Sequence, residues 1–230
     1  MPLEAMSAPL EAATTGAAYT RPLPFVRRAS DRRIEVFSPK LERRLSLTSY
    51  PAWQLWLALE ANPTVSTFCE RPAFIEGTPR RTIDFWVRYN PQGGDEFWLL
   101  DDAEQSADDT APANSTEERS SEALPEEVRG TTLRLIARRS LRAWSTPVAN
   151  WAQLIPYLVT WRRFADPLLA QSIVVFLGQS RTLDDVLERF TDHDRAMTEA
   201  ALYSLVANGR VLSPDLATSP LNGSSRFRRV

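Results

Sequence analysis

The stretch Ser49–Asp102 constrains the fold more than any other, because helix, strand and hairpin signals follow one another there without a gap. Pro51 suits the first turn of a helix, where a missing N–H costs nothing. Trp53, Leu55, Trp56, Leu57 and Leu59 then recur at helical spacing, with Gln54 and Glu60 outside the apolar face. Asn62-Pro63 ends the helix. Val65–Phe68 reads as a short strand. Ala73–Glu76 reads as a second extended piece between Arg71-Pro72 and Thr78-Pro79. Thr82–Tyr89 reads as one strand, with Ile83, Phe85 and Val87 alternating against Asp84, Trp86 and Arg88. The turn residues 90–94 lead to Glu96–Leu100, whose apolar run Phe97–Leu100 suits a central strand.

The flanking regions carry other rhythms. Residues 1–25 are rich in Ala, Thr and Pro and predict a disordered tail. Arg21 to Arg44 is basic, with a short strand expected at Arg33–Phe37. That basic arm is either a tracker of a phosphate backbone or an exposed leader. Residues 101–129 hold ten acidic residues and two arginines and predict a disordered acidic insertion, here bounded as 101–130. Thr132–Arg139 alternates as a strand. Pro147–Val159 predicts a helix carrying Trp151, Leu154, Ile155 and Leu158 on one face, kinked at Pro156.

From Asp166-Pro167 onward the pattern is helical. Pro167–Leu177 ends at Gly178. Thr182 caps Leu183–Phe190, and Asp194 caps Arg195–Asn208. Residues 210–212 and 225–230 then supply two short strands, the order of a winged-helix domain. The domains expected are a sheet-containing domain over 26–165 and a helical one over 166–230.

Charge and cysteine usage narrow the function. Outside residues 101–129 the chain carries 25 basic against 19 acidic groups, which permits a nucleic-acid partner. Of the 27 basic residues only Lys40 is a lysine. A single cysteine, Cys69, excludes an internal disulfide framework and fits a reducing compartment. Nothing reads as a membrane span or secretory signal, so a soluble, cytosolic protein with no membrane partner is expected. His193 is the only histidine and sits in a helix-capping turn, so no His-His metal site forms within the chain. Cys69, in a strand with no histidine nearby, is no nucleophile candidate, and no glycine-rich phosphate loop is present.

Three pieces then carry a resemblance: Leu59-Glu60-Ala61-Asn62-Pro63-Thr64-Val65, Phe68-Cys69-Glu70-Arg71-Pro72, and Arg81-Thr82-Ile83-Asp84-Phe85-Trp86-Val87. With the helical run 201–211, their order and spacing resemble the TnsA-like endonuclease subunit of heteromeric transposases over most of residues 33–230. The resemblance implies an α/β fold: a restriction-endonuclease-like mixed-sheet core followed by a small α-helical winged-helix domain. It implies a metal-dependent nuclease that cuts one strand at each transposon end. The expected partners are DNA, an integrase-like transposase subunit and an ATPase regulator of the same element. The family's chemistry takes an acid from the helix, an Asp from the hairpin and a ligand-x-Lys pair from the next strand. These positions correspond to Ala52, Asp84, Leu99 and Asp101 here, so only Asp84 is kept as a metal ligand.

The resulting expectation is a pseudo-nuclease, with no cofactor, that assembles a DNA complex. The DNA contacts expected are Arg27, Arg28, Arg32 and Arg33 on the arm and Arg226, Arg228 and Arg229 at the C-terminus. Two alternatives stand beside it: an active magnesium-dependent endonuclease with Asp84, Asp101 and Asp102 as displaced ligands and an arginine replacing the lysine, and a winged-helix DNA-binding regulator.

Overall fold

Ser49 opens the first long helix by accepting the Ala52 N–H at 3.2 Å, and Pro51 occupies its first turn. The computed structural model describes residues 19–24, 33–75, 81–90, 93–101, 127–161, 164 and 166–230. Helix α1 (Tyr50–Ala61) follows a two-stranded hairpin, β1 (Ile34–Ser38) and β2 (Arg43–Leu47), and leads into β3 (Val65–Glu70). After the small hairpin β4 (Phe74–Ile75) and β5 (Arg81–Thr82) come β6 (Phe85–Tyr89) and β7 (Asp95–Asp101). The next elements are β8 (Glu127–Val128), β9 (Thr131–Ala137), α2 (Arg138–Ala143) and α3 (Ser145–Trp161).

The protein is a mixed α/β fold. Its main sheet runs in the order β3-β6-β7-β9-β8. β7 pairs antiparallel with β6 and parallel with β9, so the apolar run Phe97–Leu100 lies in the middle of the sheet, as its composition predicts. Alternation along β6 and β7 splits the interior in two. Phe85, Val87, Trp98 and Leu100 face a large cluster with α1 and α3. Trp86, Phe97 and Leu99 face a smaller one with Cys69, Ile75, Ile83 and Leu133.

The C-terminal region contains α4 (Pro167–Phe176), β10 (Arg181–Thr182), α5 (Leu183–Arg189), α6 (Arg195–Ala207), β11 (Val211–Leu212), α7 (Asp215–Thr218) and β12 (Arg226–Arg229). Asp166, Thr182 and Asp194 cap α4, α5 and α6, and Thr182 and Asp185 form a reciprocal capping box. The three short strands pair antiparallel in the order β10-β12-β11. The large cluster runs without a break from Leu45 to Phe227. Buried Asn150 of α3 ties that helix to the segment around α7. Its amide donates to the Leu216 and Ser219 carbonyls at 2.9 and 2.8 Å and accepts the Leu221 N–H at 2.8 Å. Among the described residues no helix is long and apolar enough to cross a membrane.

Four expectations need correction. Thr82–Tyr89 is not one strand. β5 pairs with β4, the chain breaks at Ile83–Asp84, and β6 then joins the main sheet. The break follows from Ile83, fully buried, whose N–H donates to Ala73 O at 3.0 Å. The basic arm runs into an extra strand, β2, in which Leu45 and Leu47 just after Arg43-Arg44 are buried. The strand beginning near Thr132 ends at Ala137, and Arg138 starts a helix. Residues 19–24, counted in the N-terminal tail, are placed against the sheet. The Tyr19 ring packs on Trp86 and Phe97 at 5.7 and 5.1 Å, and the Leu23 N–H donates to Arg71 O at 2.9 Å. Residues 1–18, 25–32 and 102–126, which carry the rest of the tail and arm and most of the acidic insertion, lie outside the described residues.

Candidate functional site

Asp84 sits in the break between β5 and β6, with its N–H, its carbonyl and one carboxylate oxygen hydrogen-bonded to neighbouring backbone. Its N–H donates to Trp98 O at 3.1 Å and its carbonyl accepts the Arg71 N–H at 2.9 Å. Its Oδ2 accepts the Leu100 N–H at 2.7 Å. From the other side of the same residue, the Arg81 guanidinium donates to Leu100 O. The Leu100 backbone is therefore gripped by an anion and a cation, Asp84 just after Ile83 and Arg81 two residues before it. Asp101 ends β7 half-buried, paired in register with Ala137.

The other two positions of the expected catalytic set are apolar and apart. Ala52 is 3% exposed and belongs to the cluster beneath α1. Leu99 is 1% exposed and belongs to the cluster on the other side of the sheet. The structure thus brings Asp84 and Asp101 to one end of β7 with Arg81. Among the described residues no three His, Cys, Asp or Glu side chains converge as a metal set. Asp102 is outside the described residues.

Two acid–base pairs that sequence reading did not assemble lie close by. Glu70, buried at the end of β3, takes a two-pronged contact from Arg43 of β2, with Nη1 to Oε1 at 2.9 Å and Nη2 to Oε2 at 2.6 Å. Burial works against the Arg43 charge, but the hydrogen bonds and charge of Glu70 outweigh it and its pKa is raised. Burial, with the Glu70 charge beside it, pushes the Cys69 thiol up to about 12, so this thiol is neutral near pH 7 and not a nucleophile.

Glu60, expected outside the apolar face of α1, is instead 2% exposed. Its Oε1 accepts Ser38 Oγ and, at 3.0 Å, Trp56 Nε1, while its Oε2 accepts the Lys40 N–H at 3.2 Å. The Lys40 ammonium donates to Leu59 O and Asn62 O, each at 2.7 Å, closing the carbonyl end of α1. Burial lowers the Lys40 pKa to about 8, against the opposing pull of Glu60, and burial raises that of Glu60. Pro39, Lys40 and Glu60 line a cleft of about 200 Å³ shared with Leu158, Ser204 and Asn208. The signal available was the sole lysine facing a Leu-Glu step, but a separation of 20 positions hides the pair.

The expected DNA contacts divide. Arg226, Arg228 and Arg229 are exposed on β12, alternating with Phe227, which is fully buried. Arg33 stands on the β1–β2 hairpin, hydrogen-bonded to Ser46 Oγ at 3.0 Å and paired with Glu35. Arg27, Arg28 and Arg32 lie outside the described residues. Helix α6 buries Thr198, Glu199, Ala200, Ala201, Leu202, Tyr203 and Leu205 and packs on α3, α4 and α5. Arg195 remains at its exposed start. No protein-family model matches this chain, and no curated protein matches it.

Proposed function

We propose that this chain is a TnsA-like subunit that helps to assemble a transposase complex on DNA and does not itself cut DNA. The observation that carries the reading is the Asp84 corner. A metal-dependent nuclease of this type gathers several oxygen ligands and a cation around the scissile phosphate. Here the retained aspartate spends one oxygen on the Leu100 N–H. The positions that would complete the set are a buried alanine and a buried leucine.

The C-terminal region supports the same assignment. A helix, a short strand, two helices, a strand, the short helix α7 and a last, central strand follow the order of a winged helix with α7 inserted between the final strands. Its third helix, the reading element in DNA-binding members of that class, is largely occupied in packing here. Beyond Arg195 at the start of that helix, three exposed arginines lie on β12. Such a unit favours docking to protein, with salt-sensitive, sequence-independent contact to phosphates through Arg226, Arg228 and Arg229. The partners proposed are DNA, an integrase-like transposase subunit and an ATPase regulator.

One observation favours the catalytic alternative: Arg81 reaches the same end of β7 as Asp84 and Asp101. The deciding measurement is DNA nicking by purified protein with magnesium or manganese. No cleavage above background is expected. Reproducible cleavage that disappears in Asp84→Ala would overturn the proposal.

A further inference from the structure

A groove of about 520 Å³ opens on the helical side of the main sheet, between α1, α3 and the ends of β6, β7 and β9. Its lining is aromatic. Trp98 and Trp151 are buried with Leu57 and Val148, while Tyr89 and Trp144 are half-buried along its edge.

Two charged groups stand in the lining, and they are used differently. Glu96 Oε2 accepts Tyr89 Oη at 3.0 Å and Trp98 Nε1 at 2.9 Å, so this carboxylate is part of the wall. Burial, with the Glu96 charge adding to it, pushes the Tyr89 hydroxyl up to about 12, which keeps it protonated as the donor. The Arg134 side chain is 54% exposed, and its guanidinium lies 5.4 Å from the Trp98 ring centre. Its Nη1 forms an ion pair with Glu96 Oε2 at 3.7 Å, too long for a hydrogen bond. The groove therefore offers an apolar floor and, at its rim, a cation whose donors are not spent on the neighbouring acid.

We propose that this groove docks a segment of a partner polypeptide that carries a bulky apolar anchor beside a carboxylate. The rings suit one large apolar side chain, the kind of buried anchor that dominates binding energy at interfaces. The carboxylate is assigned by Arg134, whose planar fork matches it in two-pronged fashion and repels a basic segment. The groove's edge residues, Ala58, Ala61, Asn62 and Trp144, are half-exposed. That favours a side chain inserted from a neighbouring chain over a free small molecule, whose sites enclose most of the ligand surface. The inference rests on the assembly reading for the existence of a protein partner, and on the groove alone for its chemistry.

The test is selection of phage-displayed random linear peptides on the full chain. Enriched sequences are expected to place Trp, Phe or Leu next to Asp or Glu. A labelled synthetic copy of the best sequence should bind about tenfold or more weakly to Arg134→Gln, since a charge-assisted pair is lost. Changing its acid to the amide should weaken it similarly. Arg134 is exposed enough for that variant to fold, and circular dichroism checks this. Trp144→Ala should weaken binding independently of charge. Absence of any enriched sequence overturns the proposal, as does a basic consensus or binding indifferent to Arg134→Gln. Binding of N-acetylphenylalanine as tight as that of the peptide overturns the polypeptide assignment. The nicking assay judges the assembly reading separately, because the groove variants do not touch Asp84.

Discussion

Asp84 and Glu60 are acids of the same half of the molecule, and the fold treats them oppositely. Glu60 is almost wholly enclosed and receives hydrogen bonds from Ser38, Trp56 and the Lys40 backbone, with the only lysine next to it. Asp84 is half-buried at a chain break and binds one backbone N–H across the sheet. The first acid is a structural fastener that joins the β1–β2 hairpin to α1. The second holds the register of β7 and keeps part of its surface toward solvent. An acid in a nuclease-like position is therefore not evidence of chemistry until its partners are known, and here the more deeply buried acid is the one outside the expected catalytic set.

The contrast can be broken most forcefully at Lys40. Lys40→Met removes the cap on the Leu59 and Asn62 carbonyls at the end of α1 and leaves Glu60 buried without its cation, so a loss of about 3–4 kcal/mol is expected in urea unfolding. Replacing both partners together, Lys40→Met with Glu60→Leu, should recover part of that loss, because no lone buried charge remains. A loss under about 0.5 kcal/mol for the single variant would show that the pair is not a fastener.

The pH dependence sharpens the same point. The folded pKa of Glu60 is raised above its ordinary 4.5 by burial. The folded state then holds a proton that the unfolded chain has released, so this group's stabilisation is present below pH 4.5 and lost as pH rises through the folded value. Lys40 has the opposite sign. Its folded pKa is about 8 against 10.5 unfolded, so the unfolded chain binds more protons between those values and stability rises with pH across that window. Unfolding free energies across pH should show both slopes in the native protein. The acid-side slope should vanish in Glu60→Gln and the alkaline one in Lys40→Met. Unchanged slopes would refute the assignment.

The smallest effect is expected at Asp84. Asp84→Asn keeps an oxygen for the Leu100 N–H and should cost less than about 1 kcal/mol. Asp84→Ala strands that N–H and should cost about 1–2 kcal/mol. A larger loss from Asp84→Asn than from Lys40→Met would reverse the comparison.

What was legible in the sequence was what neighbouring residues decide. Pro51 in the first turn of α1, the stop at Asn62-Pro63 and the caps at Thr182 and Asp194 all rest on relations within a few residues, and the helix boundaries fall beside those residues. The central place of Phe97–Leu100 was legible for a similar reason, since two-sided burial leaves no polar alternation. What stayed hidden depends on distant partners. Arg43 and Glu70 are 27 residues apart, and Glu60 looks polar until Ser38 and Lys40 arrive from another hairpin. β2 was obscured because its arginines outweigh Leu45 and Leu47 to the eye, although the apolar alternation was there. The break at Asp84 was masked by Ile83, which continues the period of β6 while pairing elsewhere. The groove around Trp98 gathers residues from α1, the sheet and α3, so its rings share no local pattern.

The parallel pairing of β7 with β9 has a consequence for how the chain can be rebuilt. Glu127 lies opposite Thr132, which in turn lies opposite Glu96, so a chain leaving Asp101 must return to the starting level of β7 before β8 begins. That return spans five rungs of the ladder and two strand spacings, on the order of 20 Å, which needs at least about six extended residues. Residues 102–126 exceed this span several-fold. Trimming them should shorten the search that brings β9 to β7 and speed folding, until the tether becomes taut. Below that length the parallel rung order is unreachable, and only an antiparallel hairpin, with every side chain of the incoming strand placed anew, remains open to the chain.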